Sequence, residues 1–264
     1  MSRASKRKSL APPNPSPSPV KSSAARSGKT KATKELDRID NMFSKYANEG
    51  IIDPDGIMAL CKDLKMEHTD IRILMLAWKL KAAKLGYFTQ DEWKTGLKTL
   101  QADNLTKLKK AVAELEKEVN TPPNFLEFYS FAFRYHLTEE KQKNIDIETS
   151  CELLNLILGS KYHSQVDLLI DYLKIQSDYK VINLDQWVSF LRFFKEISFP
   201  DLQNYDDTQA WPLILDSFVE WLKEKSSFAI ALTSFAASVT HPFLSVRQCI
   251  DSSDKLQRRL FWTI

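Results

Sequence analysis

A chain of 264 residues with 43% apolar side chains can build one or two hydrophobic cores, and only six glycines beside plentiful Leu, Lys, Glu and Ala favour an all-helical protein. Its net charge of +3 hides an asymmetry: residues 1–34 carry nine Lys/Arg and no Asp or Glu, so removing that +9 leaves residues 35–264 at −6. Three widely spaced cysteines, Cys61, Cys151 and Cys249, exclude a disulfide framework and a cysteine zinc site, in keeping with a reducing intracellular compartment.

Residues 1–34 hold five of the eleven prolines and no aromatic residue, so they cannot bury enough surface to offset chain entropy and read as a disordered basic arm. No apolar run marks a secretory signal there. The run Ser5-Lys-Arg-Lys-Ser9 fits a nuclear import signal or a nucleic-acid patch on one reading, and a solubilising tail with Ser-Pro sites on the other.

From Glu35 the apolar spacing is helical. Leu36, Ile39, Met42, Phe43 and Tyr46 form a first stripe. Ile57, Leu60, Cys61 and Leu64 form a second, and Ile71 to Leu80 a strongly buried helix. Asp91 begins another, and Asp103 is placed to cap a long amphipathic helix carrying Leu105, Leu108, Val112, Leu115 and Val119. Pro122-Pro123 breaks the chain and marks a boundary between residues 35–121 and 122–224. Phe125 to Tyr135 is aromatic nearly all round, hence buried, and further helices fit 146–158, 164–176, 185–197 and 212–224. No alternating run is long enough to argue for a strand.

The first half has the rhythm of paired EF-hands. In its second loop Gly86, Phe88 and Glu92 match the glycine, the apolar eighth position and the terminal glutamate, but Lys81, Ala83 and Leu85 stand where calcium needs oxygen ligands. In a first loop taken from Tyr46 to Ile57, Gly50 and Ile51 sit too early. Both loops are expected to be calcium-free. Cys61 lies on an apolar stripe and reads as core, and the four histidines show no metal-ligand spacing, so no catalytic residue, metal or cofactor is expected. Residues 226–246 lack Asp, Glu, Lys and Arg, yet seven are Ser or Thr, so a peripheral extension over 225–264 is expected rather than a membrane span.

Asn204-Tyr-Asp-Asp-Thr-Gln-Ala-Trp-Pro212 is an acidic loop entering a helix, with Pro212 suited to its first position. Trp211, Leu215, Phe218 and Leu222 form its buried stripe, and Asp216 falls at the edge, near Ala210. Asp185 opens the preceding helix, where a capping role is the simplest reading. A small apolar spot rimmed by carboxylates suits a basic, partly apolar partner.

Over about residues 35–224, these features together resemble the defective-in-cullin-neddylation proteins and their potentiating-neddylation domain. The resemblance rests on Asp55-Gly-Ile57 with Cys61-Lys-Asp-Leu64, Ala77-Trp-Lys79, and the aromatic run Phe125 to Phe133. Asn204-Tyr-Asp206 with Ala210-Trp-Pro212, and Asp216 with Phe218, complete it. It implies an all-α protein with an EF-hand-like half packed on a second helical half. It further implies a scaffold-type ligase that holds a cullin and a charged conjugating enzyme together while a ubiquitin-like modifier passes to a cullin lysine. In that family an Asp/Ala/Asp patch binds the cullin C-terminal winged-helix domain, which carries over to Asp185, Ala210 and Asp216. An apolar pocket takes the acetylated N-terminal methionine of the neddylation conjugating enzyme, which carries over to Ile57, Cys61, Leu74, Ala77, Leu80, Phe88, Tyr135 and Leu156. A RING-box protein is implied as an indirect partner; nucleic acid and membrane are not. The family's ubiquitin-associated domain has no counterpart here, and the basic arm favours the nucleus, with the cytoplasm also allowed. The competing reading is a calcium-independent EF-hand-like adaptor for an unrelated helical peptide.

Overall fold

The computed structural model describes residues 23–238, with side chains for residues 32–227. Its first half comprises α1 (Ser23–Tyr46), β1 (Ile51–Ile52), α2 (Pro54–Leu64), α3 (Ile71–Leu80), β2 (Phe88–Thr89), α4 (Gln90–Thr99) and α5 (Leu105–Val119). Its second half comprises α6 (Pro122–Tyr135), β3 (Asn144–Asp146), α7 (Ile147–Leu158), α8 (His163–Ile175), β4 (Val181–Asn183), α9 (Leu184–Glu196) and α10 (Leu213–Ser238).

Four short strands organise these helices. β1 pairs antiparallel with β2, setting Ile52 opposite Phe88, and β3 pairs with β4, setting Ile145 opposite Ile182. All four of these side chains are buried. In each case the next residue (Asp53, Thr89, Asp146, Asn183) is the N-cap of the following helix and accepts the N–H three positions on, from Gly56, Glu92, Thr149 and Gln186. The paired helix–loop–strand–helix unit expected of the first half thus recurs in the second. Strands of two or three residues are too short to show a period of two, which is why the sequence did not display them.

The pairing also corrects the first loop. With Ile52 opposite Phe88, the loop begins at Lys45, one residue earlier than expected, and Gly50 takes the place that Gly86 takes in the second. Both glycines have positive φ, +84° and +77°, the left-handed turn the loop needs there. The twelfth position of the first loop is Gly56, where a Cβ would lie 2.2 Å from the Tyr46 carbonyl oxygen. Close backbone approach therefore excludes the glutamate a calcium loop carries there. In the second loop Glu92 is present but spans the turn, one oxygen accepting Ala83 N–H at 2.8 Å and the other Thr89 N–H at 2.7 Å. Glu92→Ala strands two donors and is expected to cost about 1–2 kcal/mol, lowering the melting temperature by roughly 2–8 °C, with added calcium leaving the curves of both proteins unchanged.

Several boundaries differ from expectation. α1 begins at Ser23, so residues 23–34 are helical rather than part of a disordered arm; Ala and Lys favour the helix and no proline falls between Pro19 and Pro54. Residues 1–22, including Ser5–Ser9, lie outside the described residues. The cap of α5 is Asn104, which accepts Lys107 N–H at 3.0 Å. Asp103 is instead buried and ion-paired to Arg38 of α1 and to Lys107. The hydrogen bond from Lys107, then that from Arg38, holds its carboxyl below the ordinary 3.8, against the opposing effect of burial. Pro122 and Pro123 open α6 as its first residues after Thr121, so they start a helix where the chain turns. α10 begins after Pro212, at Leu213, and continues to Ser238, carrying helix into the expected extension because neither proline nor glycine interrupts it. Among the described residues no helix is long and apolar enough to cross a membrane; the uncharged run 226–246 extends beyond them, as does Cys249.

The halves join through α6, which packs against α3 and α5 on one side and α9 on the other. Tyr129 and Trp187 clasp that second contact. Their rings stack at 4.5 Å and 11°, the tyrosine hydroxyl donates to Trp187 O at 3.0 Å, and the indole N–H donates to Tyr129 O at 2.9 Å. This fixes α9 two residues beyond Asp185.

Candidate functional site

The acidic patch is built by α9, the loop 197–212 and the start of α10. α9 is opened by a capping box between Asn183 and Gln186, which leaves Asp185 as the second helical residue rather than the cap. Asp185 is exposed, and a carboxylate in the first turn is favoured by the helix dipole. Helical spacing puts Val188, Ser189, Arg192 and Glu196 on the same face, all exposed or half-buried, while Trp187, Phe190, Leu191 and Phe194 are buried.

The loop is tied to the end of α9 by local bonds. Asn204 accepts Ser198 N–H at 2.7 Å and donates to Glu196 O at 2.6 Å. Asp206 accepts both N–H and O–H of Thr208, the contacts that hold its carboxyl below the ordinary range. Trp211 then plugs the core against Phe193, at 5.8 Å and 78°, with Tyr205 stacked on it at 6.2 Å and 22°. The Arg192 guanidinium lies 4.1 Å from the Trp211 ring centroid, a cation–π contact that braces the tryptophan, while Glu196 pairs with the arginine at 3.0 Å.

Trp211, Leu215, Phe218 and Leu222 are all buried, and Asp216 is half-buried at their edge, as the spacing predicts. Ala210 is exposed, and Leu213 between them is 74% exposed. Neither Asp185 nor Asp216 has a cationic partner among the described residues; the Tyr205 hydroxyl donates to Asp216 Oδ1. Ala210 and Asp216 share the loop-to-α10 corner. Asp185 lies eight residues before Phe193 along α9, about 12 Å of helix axis, so it stands well apart from that corner and any surface taking in all three residues is elongated. Arg192 and Leu213 were not singled out in the sequence, and Tyr205 was read only as part of the Asn204-Tyr-Asp206 motif. Their signals were the seven-residue spacing from Asp185, the aromatic residue in the acidic loop, and an apolar residue off the α10 stripe.

The second group of residues is packed as core. Ile57 and Cys61 on α2, Leu74, Ala77 and Leu80 on α3, Phe88 on β2 and Tyr135 on α6 are each at most 4% exposed. The Tyr135 hydroxyl accepts Gly86 N–H at 3.2 Å, tying α6 to the second loop. Leu156, on α7, is half-buried, and α7 packs chiefly on α8. Open space reaches the group at two edges. A cleft of about 330 Å³ touches Tyr135 beside Trp78 and Phe131, and one of about 580 Å³ touches Cys61 beside Met58 and Met66. Burial, then nearby Asp70, pushes the Cys61 thiol up to about 12, so it is neutral and unactivated as a nucleophile.

A family model described as cullin binding matches residues 107–221, which include Asp185, Ala210 and Asp216 but not the α2–α3 group. The chain is 40% identical over 184 residues to human DCN1-like protein 4, covering 69% of this chain and 62% of that protein. It is 37% identical over 186 residues to human DCN1-like protein 5, covering 70% and 77%. With DCN1-like protein 2 of Dictyostelium discoideum it shares 32% over 219 residues, covering 74% and 80%. It thus spans less than two thirds of the DCN1-like protein 4 length. On the strength of these matches, the chain belongs to the DCN1-like family of defective-in-cullin-neddylation proteins.

Proposed function

We propose that this protein is a scaffold that binds a cullin through Asp185, Ala210 and Asp216 and recruits a neddylation conjugating enzyme, so that the ubiquitin-like modifier passes to a cullin lysine. The observation that carries the reading is a pair of carboxylates without cationic partners among the described residues, together with exposed Ala210 and Leu213, inside the matched segment. Such a surface suits a basic winged-helix domain with a small apolar contact at its centre, and a body at −6 adds long-range attraction for it. The α2–α3 group is the proposed seat of the enzyme's acetylated methionine. As it is packed here, that side chain would enter from the clefts at Cys61 or Tyr135 and displace core side chains. The protein supplies no reacting group: holding thioester and lysine together raises their effective concentration and narrows their approach. A RING-box protein is reached indirectly, through the cullin, and the basic arm supports a nuclear location. The test is titration calorimetry of the full chain with an isolated cullin C-terminal winged-helix domain. Saturable binding that weakens as salt rises is expected; no binding at low salt would refute the reading.

A further inference from the structure

We propose that Tyr205 is a positioning residue, holding the Asp216 carboxylate in the orientation in which it meets a basic partner. The inference rests on the cullin-binding reading of Asp216 and adds a group that the reading does not contain. Asp216 stands in the first turn of α10, where the helix itself leaves a carboxylate free to rotate about χ2. The Tyr205 hydroxyl removes that freedom by donating to Oδ1, from a residue eleven positions earlier in the chain.

The tyrosine is well fixed for the task. Its ring stacks on Trp211, meets Phe193 edge-on at 6.0 Å and 61°, and has Lys223 Nζ 6.0 Å from its centroid. Trp211 is itself braced by Phe193 and Arg192. Burial, and then the hydrogen bond to Asp216, raise the phenol well above its ordinary value. The phenol is therefore kept protonated, able to donate. One oxygen of Asp216 is occupied by the phenol and the other is left for a partner's Lys or Arg. A partner then meets a carboxylate whose rotamer is already set, and the entropy of fixing it is not lost on binding.

The test is a double-mutant cycle in the full chain, with Tyr205→Phe, Asp216→Ala and the pair, read by calorimetry against a cullin C-terminal winged-helix domain and by thermal unfolding. Tyr205→Phe keeps the ring contacts and removes only the hydroxyl. It is expected to weaken binding about 3- to 10-fold in the wild-type background, and by less than about 2-fold once Asp216 is alanine. Its melting temperature should move by no more than a few degrees. Undiminished affinity of Tyr205→Phe overturns the inference, and so does an equal loss in both backgrounds, which would make the hydroxyl merely structural. Failure of the wild-type chain to bind is a different result: it overturns the cullin reading itself and this inference with it.

Discussion

Asp216→Lys is expected to abolish measurable binding to a cullin C-terminal winged-helix domain, a loss of at least about 100-fold, while the fold persists. The carboxylate is half-buried at the rim of an apolar contact, so a partner cation seated there would lose its counter-charge and meet a positive charge instead. Removing one member of a desolvated charge pair costs about 2–5 kcal/mol, and reversal adds repulsion. The cost to the free protein is small. A lysine in the first turn of α10 opposes the helix dipole by about 0.3–1 kcal/mol, and the Tyr205–Trp211 stack does not depend on the carboxylate. Asp185→Lys, at an exposed position, should weaken binding less, by about 10-fold, since exposed pairs act mainly through long-range attraction. Calorimetry paired with melting curves checks both, and an Asp216→Lys variant that binds as tightly as wild type would remove Asp216 from the interface.

Trp187→Ala is expected to be the most damaging single change in the second half. The side chain is fully buried, stacks on Tyr129 and donates its indole N–H to the Tyr129 carbonyl across the α6–α9 contact. Truncating a buried tryptophan costs about 3–5 kcal/mol, here with the indole hydrogen bond to the Tyr129 carbonyl also lost. The melting temperature should fall by roughly 6–20 °C for a domain of this size. The change carries into function because α9 is the element that places Asp185 and Arg192. Cullin affinity should therefore fall although every patch residue is intact. Trp187→Phe, which keeps an aromatic ring but not the N–H, should lose about 1–2 kcal/mol. A Trp187→Ala protein with an unchanged melting curve would contradict the role given to this clasp.

The helices were legible because each carries an apolar stripe several turns long, and those stripes are the core observed. The paired strands were not. Ile52, Phe88, Ile145 and Ile182 each hold one pairing site, and one buried residue has no period. The one-residue error in the first loop has the same origin, since only the pairing with Phe88 shows which residue is eighth. Asp103 and Asp185 were each read as caps, and each stands one or two residues from the real one. Any of Asp, Asn or Thr can cap, and only the accepted N–H distinguishes them. At the site, Asp216 and Trp211 could be placed from helical spacing. The bond from Tyr205 to Asp216 could not, because it closes across a loop whose path is set by Asn204, Ser198 and the Trp211 plug. Ile57, Cys61, Leu74 and their neighbours satisfy a core stripe and a binding pocket equally well, so their spacing could not separate the two.

The most direct measurement is a reconstituted transfer reaction, in which a charged neddylation conjugating enzyme delivers its modifier to a cullin bound to a RING-box protein, with and without this chain. The initial rate should rise with added protein, saturate, and return to the unassisted rate with the Asp185→Lys/Asp216→Lys variant. A rate indifferent to the wild-type protein, or stimulated equally by the double variant, would contradict the scaffold reading.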